Sequence, residues 1–445
     1  MGKYFGTDGV RGRANADLTP ELALAVASAA ARVLVSHDAS HRPLAVVGRD
    51  PRVSSEMLEA AVVAGLTSAG ADVRLVGVLP TPAVAYLTGR YQADLGVMLS
   101  ASHNPMPDNG VKLFAQGGSK LPDEIEAEIE AAIEAGWTRP RPTGADIGRV
   151  SVDYNGADLY TGHLLAAAPG SLAGLRVVVD CAHGAASYVA GDLFARAGAS
   201  VQIVAGEPTG ENINDGVGST HIESLVAEVR RSGADAGIAL DGDADRCLAV
   251  DAEGNVIDGD QILAICATDL KRRGALAADT VVVTVMSNLG FHHAMAAAGI
   301  EVLTTGVGDR YVLEALSRHQ LSLGGEQSGH VIFTDAATTG DGLLTALRLL
   351  DCVAKAGRPL AELAAVVQRL PQVMVNVRVS DKAAVAASHA VQVAVAAAED
   401  ELGDDGRILL RPSGTEQMVR VMVEAASQER AEEFAHRVAA VVRSA

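Results

Sequence analysis

The chain has 445 residues, 49% hydrophobic and 20% charged, which is the balance of a core-forming globular protein and excludes a disordered one. At roughly 100–200 residues per domain, that length predicts two to four domains. Lys and Arg number 36 against 55 Asp and Glu, a net charge of −19, which excludes nucleic-acid binding through a basic footprint. Any anionic ligand must therefore meet a local cluster of Arg and Lys.

The opening MGKYFGTDGVRGR has no apolar stretch of the signal-peptide kind, and no run approaches the roughly 18 apolar residues that cross a bilayer. Further on, PLAVVGRD from Pro43, AGADVRLVGV from Ala69 and ADLGVMLSAS from Ala93 read as buried strands separated by helices. The same order returns in LRVVVDCAH from Leu175, AGASVQIVAG from Ala197 and ADAGIALDGDAD from Ala234. It starts a third time with TVVVTVMSN from Thr280 and AGIEVLTTGV from Ala298. In each repeat a Gly precedes the second strand, where a helix ending in a left-handed residue needs one. Continuous Val/Ile/Leu strands alternating with helices predict mostly parallel sheets covered on both faces.

The expected architecture is three related α/β domains with mixed, mostly parallel sheets, over residues 1–150, 155–256 and 257–370, with RPRPTGADIG from Arg139 as the first linker. A smaller C-terminal α+β domain over 371–445 follows, because strands and helices stop alternating there. Four cysteines (Cys181, Cys247, Cys266, Cys352) are scattered without a C-x-x-C pair, so reduced thiols and a cytoplasmic location are expected.

Ligands of parallel sheets bind beyond the carboxyl ends of the strands. Each predicted α/β domain places a polar loop there. SASHNPMPDNGVKLF offers Ser102 with His103, Asn104 and, ten residues on, Lys112; the serine suits a nucleophile or phosphate carrier, or a capped polar turn. A hydrolase elbow would need G-x-S-x-G, which Ala101 and His103 do not supply. DGDADR offers Asp241, Asp243 and Asp245, which repel one another unless a hard divalent cation lies among them, the alternative being a solvated acidic turn. An EF-hand is excluded because Arg246 and Ala252 stand where it needs Gly and Glu. GGEQSGH carries Glu326, Ser328 and His330, suited to sugar hydroxyls or to a plain turn. In the last domain RPSGTEQMVR combines Arg411, Ser413, Thr415 and Arg420, the composition of a phosphate cradle or of a hairpin with a bridging surface arginine. Lys112, Arg246 and Arg11 add cations that could offset three aspartates and a phosphate.

In that order, S-A-S-H-N-P, D-G-D-A-D-R, G-E-Q-S-G-H and R-P-S-G-T-E span the chain, which resembles the α-D-phosphohexomutases, four-domain enzymes that move phosphate between positions of a sugar. Within them, F-G-T-D-G-V-R-G and the glutamine of G-E-Q-S-G-H resemble the members acting on glucosamine phosphates, on the bacterial route to UDP-N-acetylglucosamine and peptidoglycan. The resemblance implies that Ser102 carries the phosphoryl group and that one Mg2+ is held by Asp241, Asp243, Asp245 and a phosphoserine oxygen. It implies glucosamine 1,6-bisphosphate as the intermediate. Arg246, Glu326, Ser328 and His330 would then bind the sugar phosphate, and Arg411, Ser413, Gly414, Thr415 and Arg420 its non-reacting phosphate. Lys112, His103 and Arg11 would lie by the transferred group, with Lys112 the leading candidate for proton transfer. The implied partner is a small-molecule hexosamine phosphate, with no nucleic acid and no membrane, and a homodimer is compatible with it. Ser100 and Pro412 depart from the family's forms.

Overall fold

A computed structural model describes residues 2–6, 8–37, 40–138, 140–413 and 416–445. The first sheet comprises β1 (Val10–Arg13), β2 (Leu44–Arg49), β3 (Asp72–Val78), β4 (Leu95–Leu99), β5 (Asp108–Ala115) and β6 (Val150–Val152), in the order β1-β5-β4-β2-β3-β6. The second contains β7 (Arg176–Asp180), β8 (Ser200–Val204), β9 (Ala236–Leu240), β10 (Cys247–Asp251) and β11 (Val256–Ile257), ordered β11-β10-β9-β7-β8. The third has β12 (Thr280–Thr284), β13 (Glu301–Thr305), β14 (Leu323–Gly325) and β15 (Val331–Phe333), ordered β13-β12-β14-β15.

One pattern is written three times. Across each sheet it runs β3-β2-β4-β5, β8-β7-β9-β10 and β13-β12-β14-β15. The first three strands of each set are parallel, as the repeats in the sequence imply. A fourth, antiparallel strand closes each set. The polar loop therefore bridges a hairpin at the carboxyl end of the third strand instead of leading into a helix. Gly70, Gly198 and Gly299, one ahead of each second strand, have φ of 91°, 99° and 66°, as their helix-ending position requires. LGVML of β4 and AGIAL of β9 are buried at every residue, since both faces of their sheets are covered.

β16 (Gln372–Arg378), β17 (Arg407–Pro412) and β18 (Met418–Glu424) form the last sheet, antiparallel throughout, against the helices His389–Leu402 and Gln428–Ser444. A single buried cluster runs from Val46 and Met98 through Tyr160, Phe194 and Ile238 to Phe291 and Leu347, welding the α/β units together. The C-terminal sheet keeps a separate core around Val391, Val421 and Phe434. It is attached through polar groups: fully buried Glu424 accepts from Leu289 N (2.8 Å) and Asn288 Nδ2 (3.2 Å) of the third domain, and Arg407, paired with Glu424 within the sheet (2.8 Å), donates across to Ser287 O. A separate core on a polar joint allows that unit to shift as a body. Among the described residues no helix is long and apolar enough to cross a membrane, and all four cysteines are free and buried.

Candidate active site

β4 delivers the first polar loop, and Ser102 stands in it with φ 52°, a left-handed conformation rare for any residue but Gly and typical of strained functional turns. Ser102 is 2% exposed, and its hydroxyl donates to Asp241 Oδ2 at 2.5 Å; His103 Nδ1 lies 3.3 Å from it. Asp241 belongs to the loop after β9, so the two domains meet at this contact. Gly242 permits the approach, because a Cβ there would come within 2.7 Å of Ser102 O. Two residues without a signal in the sequence lock the loops together. Asn214 Nδ2 donates to Ser102 O (2.9 Å) and Asn104 O (3.1 Å), while Thr81 donates to Asp243 through Oγ1 (2.5 Å to Oδ2) and N (2.9 Å to O).

Asp241, Asp243 and Asp245 are all buried and offer one oxygen each within 4.8 Å of one another. Burial, then the neighbouring Asp245 and Asp243, push the Asp241 carboxyl well up. Burial opposes the charge of Asp245 as well, yet Lys112, His330 and Arg246 hold it well below the usual carboxylate range. Asp243 Oδ1 and Asp245 Oδ1 are buried acceptors that receive no hydrogen bond among the described residues. A buried, unsatisfied carboxylate oxygen is costly unless a cation completes it. Three converging carboxylates, two of them with an oxygen left unsatisfied among the described residues, fit a divalent ion such as magnesium.

Lys112 reaches into the same space from β5, with Nζ 2.8 Å from Asp243, 3.0 Å from Asp8 and 3.3 Å from Asp245. Burial disfavours its ammonium, but those carboxylates outweigh burial and raise its pKa well above normal, so Lys112 rests protonated. His103 is the reverse: burial, with Arg246 and Arg11, lowers its pKa to about 4 and keeps the ring neutral. Arg11 pairs with Asp8, and Lys120 bridges Asp8 (2.6 Å) to Asp309 (2.5 Å) of the third domain. Asp8 thus gathers three cations, a role the sequence does not reveal.

The GEQSGH loop turns between β14 and β15. Glu326 accepts from Gly308 N (3.2 Å) and Ser328 Oγ (3.3 Å). His330 is 4% exposed, with Nε2 3.1 Å from Gly340 N and Nδ1 3.7 Å from Asp245 Oδ1; burial disfavours its charge, but Asp245, Asp309 and Glu326 outweigh it and raise the pKa to about 9, so the ring rests protonated. A cavity of about 590 Å³ opens between the three α/β domains, lined by Arg11, Ser102, His103, Asp245, Arg246, Glu326 and His330. That volume suits a sugar phosphate.

The fourth loop stays apart from this cavity. Arg411 and Arg420 face each other across β17 and β18. Burial, then the like charge of Arg420, lowers the Arg411 pKa, and Arg420 Nε is buried without an acceptor among the described residues. Two cations set side by side with an unused donor suit an incoming anion. Ser413 is buried, its Oγ accepting from Glu416 N at 3.3 Å. Gly414 and Thr415 lie outside the described residues.

Comparison with known proteins places these features in a family. Family models described as phosphoglucomutase/phosphomannomutase match consecutive stretches: alpha/beta/alpha domain I over residues 2–139, domain II over 158–254, domain III over 258–370 and the C-terminal domain over 374–441. The chain is 63% identical over 442 residues to a phosphoglucosamine mutase of Saccharopolyspora erythraea, covering 99% of both chains. It is 61% identical over 444 residues to that of Rhodococcus opacus, covering 100% of both. Among solved structures, a phosphoglucomutase/phosphomannomutase family protein of Burkholderia thailandensis superposes with a TM-score of 0.83 at 25% identity, over 99% of this chain and 97% of that one. The fold is shared also by Aspergillus fumigatus N-acetylphosphoglucosamine mutase, solved with GlcNAc-6P and magnesium (TM-score 0.70, 21% identity, 99% and 95% covered).

Proposed function

The chain belongs to the phosphoglucomutase/phosphomannomutase family, the α-D-phosphohexomutases, and from that membership we propose that it interconverts glucosamine 6-phosphate and glucosamine 1-phosphate through a phosphoserine on Ser102. It is an isomerase that moves a phosphoryl group within one sugar. The observation carrying the Ser102 assignment is its hydroxyl, 2.5 Å from Asp241 and at the wall of the cavity. The amino-sugar assignment rests on relatives more than 60% identical over essentially the whole chain.

The reaction is two transfers. In the first, the P–O bond to Ser102 Oγ breaks as a new P–O bond forms to the free sugar oxygen, giving glucosamine 1,6-bisphosphate. The proton lost by the sugar hydroxyl reaches the serine oxygen through Lys112, which gives one proton and takes another, remaining an ammonium before and after. The bisphosphate then turns end for end inside the cavity. In the second transfer its other phosphate returns to Ser102, the sugar oxygen is reprotonated, and the phosphoenzyme is restored. Arg11, Arg246 and neutral His103 surround the moving group. Glu326, Ser328 and His330 hold the sugar hydroxyls, and Arg411, Ser413, Gly414, Thr415 and Arg420 grip the phosphate that stays.

Magnesium fits the site: Asp241, Asp243, Asp245 and a phosphoserine oxygen would hold it, and when bound it withdraws negative charge from the phosphoryl oxygens. Because the fourth domain has its own core and a polar joint, closing it over the sugar phosphate costs no shared core and excludes water from the phosphoserine. Four reduced, buried thiols suit a cytoplasmic setting.

Rates on glucosamine 6-phosphate, mannose 6-phosphate and glucose 6-phosphate test the substrate. The expected kcat/KM favours the amino sugar by about a hundredfold, the order available to a pocket that must tell one polar substituent from another. A neutral sugar phosphate turned over faster would overturn the amino-sugar assignment.

A further inference from the structure

Resting on the reading of Ser102 as the phosphoryl carrier, we infer that Ser100, Asp50 and Arg52 are positioning residues that fix the peptide of Ser102 from both sides. All three are fully buried. Ser102 N donates to Ser100 Oγ at 2.9 Å, and Ser100 Oγ donates to Asp50 Oδ2 at 2.7 Å. That same oxygen accepts from Arg52 Nε at 2.8 Å, and Arg52 Nη2 donates back to Ser102 O at 3.0 Å. The four links make a closed circuit that begins at the N–H of Ser102 and ends at its carbonyl.

The rest of the guanidinium is spent on the same loop. Arg52 Nη2 also donates to Asn104 O (2.8 Å), and Nη1 to Pro105 O (2.6 Å) and Asp108 O (2.9 Å). Asp50 Oδ1 accepts from Arg52 N (3.1 Å) and Ser55 Oγ (2.9 Å), so the carboxylate is fully engaged. A buried ion pair contributes little net stability, because desolvation of both charges offsets their attraction. What this pair supplies is geometry. The planar fork of an arginine presents donors in fixed directions to four carbonyls of one turn, which a lysine could not do. The turn they hold is the one that keeps Ser102 at φ 52° with its Oγ aimed at Asp241. Ser100 is the link through which the N–H side of the turn is reached.

Phosphoryl transfer depends on placing the reacting atoms, and a drift of about 1 Å costs on the order of a hundredfold in rate. Ser100→Ala removes the link without touching the cavity, and Ser100→Thr keeps the hydroxyl. Both variants are assayed with glucosamine 6-phosphate at saturating magnesium, with thermal unfolding recorded alongside. In Ser100→Ala, kcat is expected to fall about ten- to a hundredfold. KM should stay within about twofold, because substrate contacts are intact. Ser100→Thr is expected to restore kcat. An undiminished kcat in Ser100→Ala, a loss that appears in KM instead, or a loss that threonine fails to restore would overturn the proposal. The Ser102→Ala variant separates this from the underlying reading: if that variant is inactive while Ser100→Ala is unimpaired, only the positioning role is lost.

Discussion

Ser102→Ala is expected to lower mutase turnover by a factor on the order of a thousand or more while the protein stays folded. The change removes one oxygen, and with it the only atom of that side chain able to carry a phosphoryl group. It also strips Asp241 Oδ2 of the donor it faces at 2.5 Å. The backbone should hold, because Ala244 in the adjoining loop adopts φ 55° and shows that this fold accommodates alanine in the left-handed region. The four carbonyl contacts of Arg52 are main-chain contacts and survive the substitution. Unfolding midpoints within about 4 °C of the parent, beside the lost activity, are the expected pair of results. Undiminished isomerisation in that variant would contradict a covalent route. Steady release of inorganic phosphate by the parent, without isomer formation, would point to a hydrolase instead.

The second large effect is expected from Asp243→Asn. Asp243 is fully buried, shares Oδ2 between Thr81 (2.5 Å) and Lys112 (2.8 Å), and leaves Oδ1 without a donor among the described residues. Asparagine keeps the shape and removes the charge. The magnesium concentration for half-maximal activity should rise at least about tenfold, since even groups behind the ligands commonly cost ten- to a hundredfold in metal affinity. The maximal rate should fall too, because Lys112 loses a carboxylate that keeps it protonated. A magnesium titration identical to the parent's would count against this loop as the metal site.

What could be read from the sequence was whatever repeats or lies close along the chain. The recurring Gly-then-strand segments and apolar runs fix the three parallel strands of each α/β unit, and the polar loops stand out because they interrupt buried strands such as AGIAL. The short antiparallel closing strands were harder. VIF of β15 is three residues long and carries no period of its own; it becomes a strand only by pairing with β14. In the site, Ser102 and the aspartates share a motif with their neighbours, whereas their supports come from far away. Arg52 is 50 residues from Ser102, Asn214 is 112, and Thr81 reaches Asp243 across 162. In GRDPRVSS a buried arginine looks like a surface turn. The one available hint was its place just past the end of β2, the rim where a parallel sheet gathers its ligands. The fourth-domain arginines were equally legible as a cationic pair, but their distance from the cavity depends on a joint built from Glu424, Asn288 and Arg407, which no local pattern encodes.

The account turns on a phosphoryl group that Ser102 holds and hands over. Mass spectrometry of the active protein, digested to isolate the peptide containing Ser102 before and after mixing with glucosamine 6-phosphate, examines this directly. The expected result is one added phosphate on Ser102 that passes to the sugar, with a hexosamine bisphosphate found in the mixture. A fully active preparation in which Ser102 is unmodified throughout, or in which its phosphate never exchanges with the sugar, would contradict it.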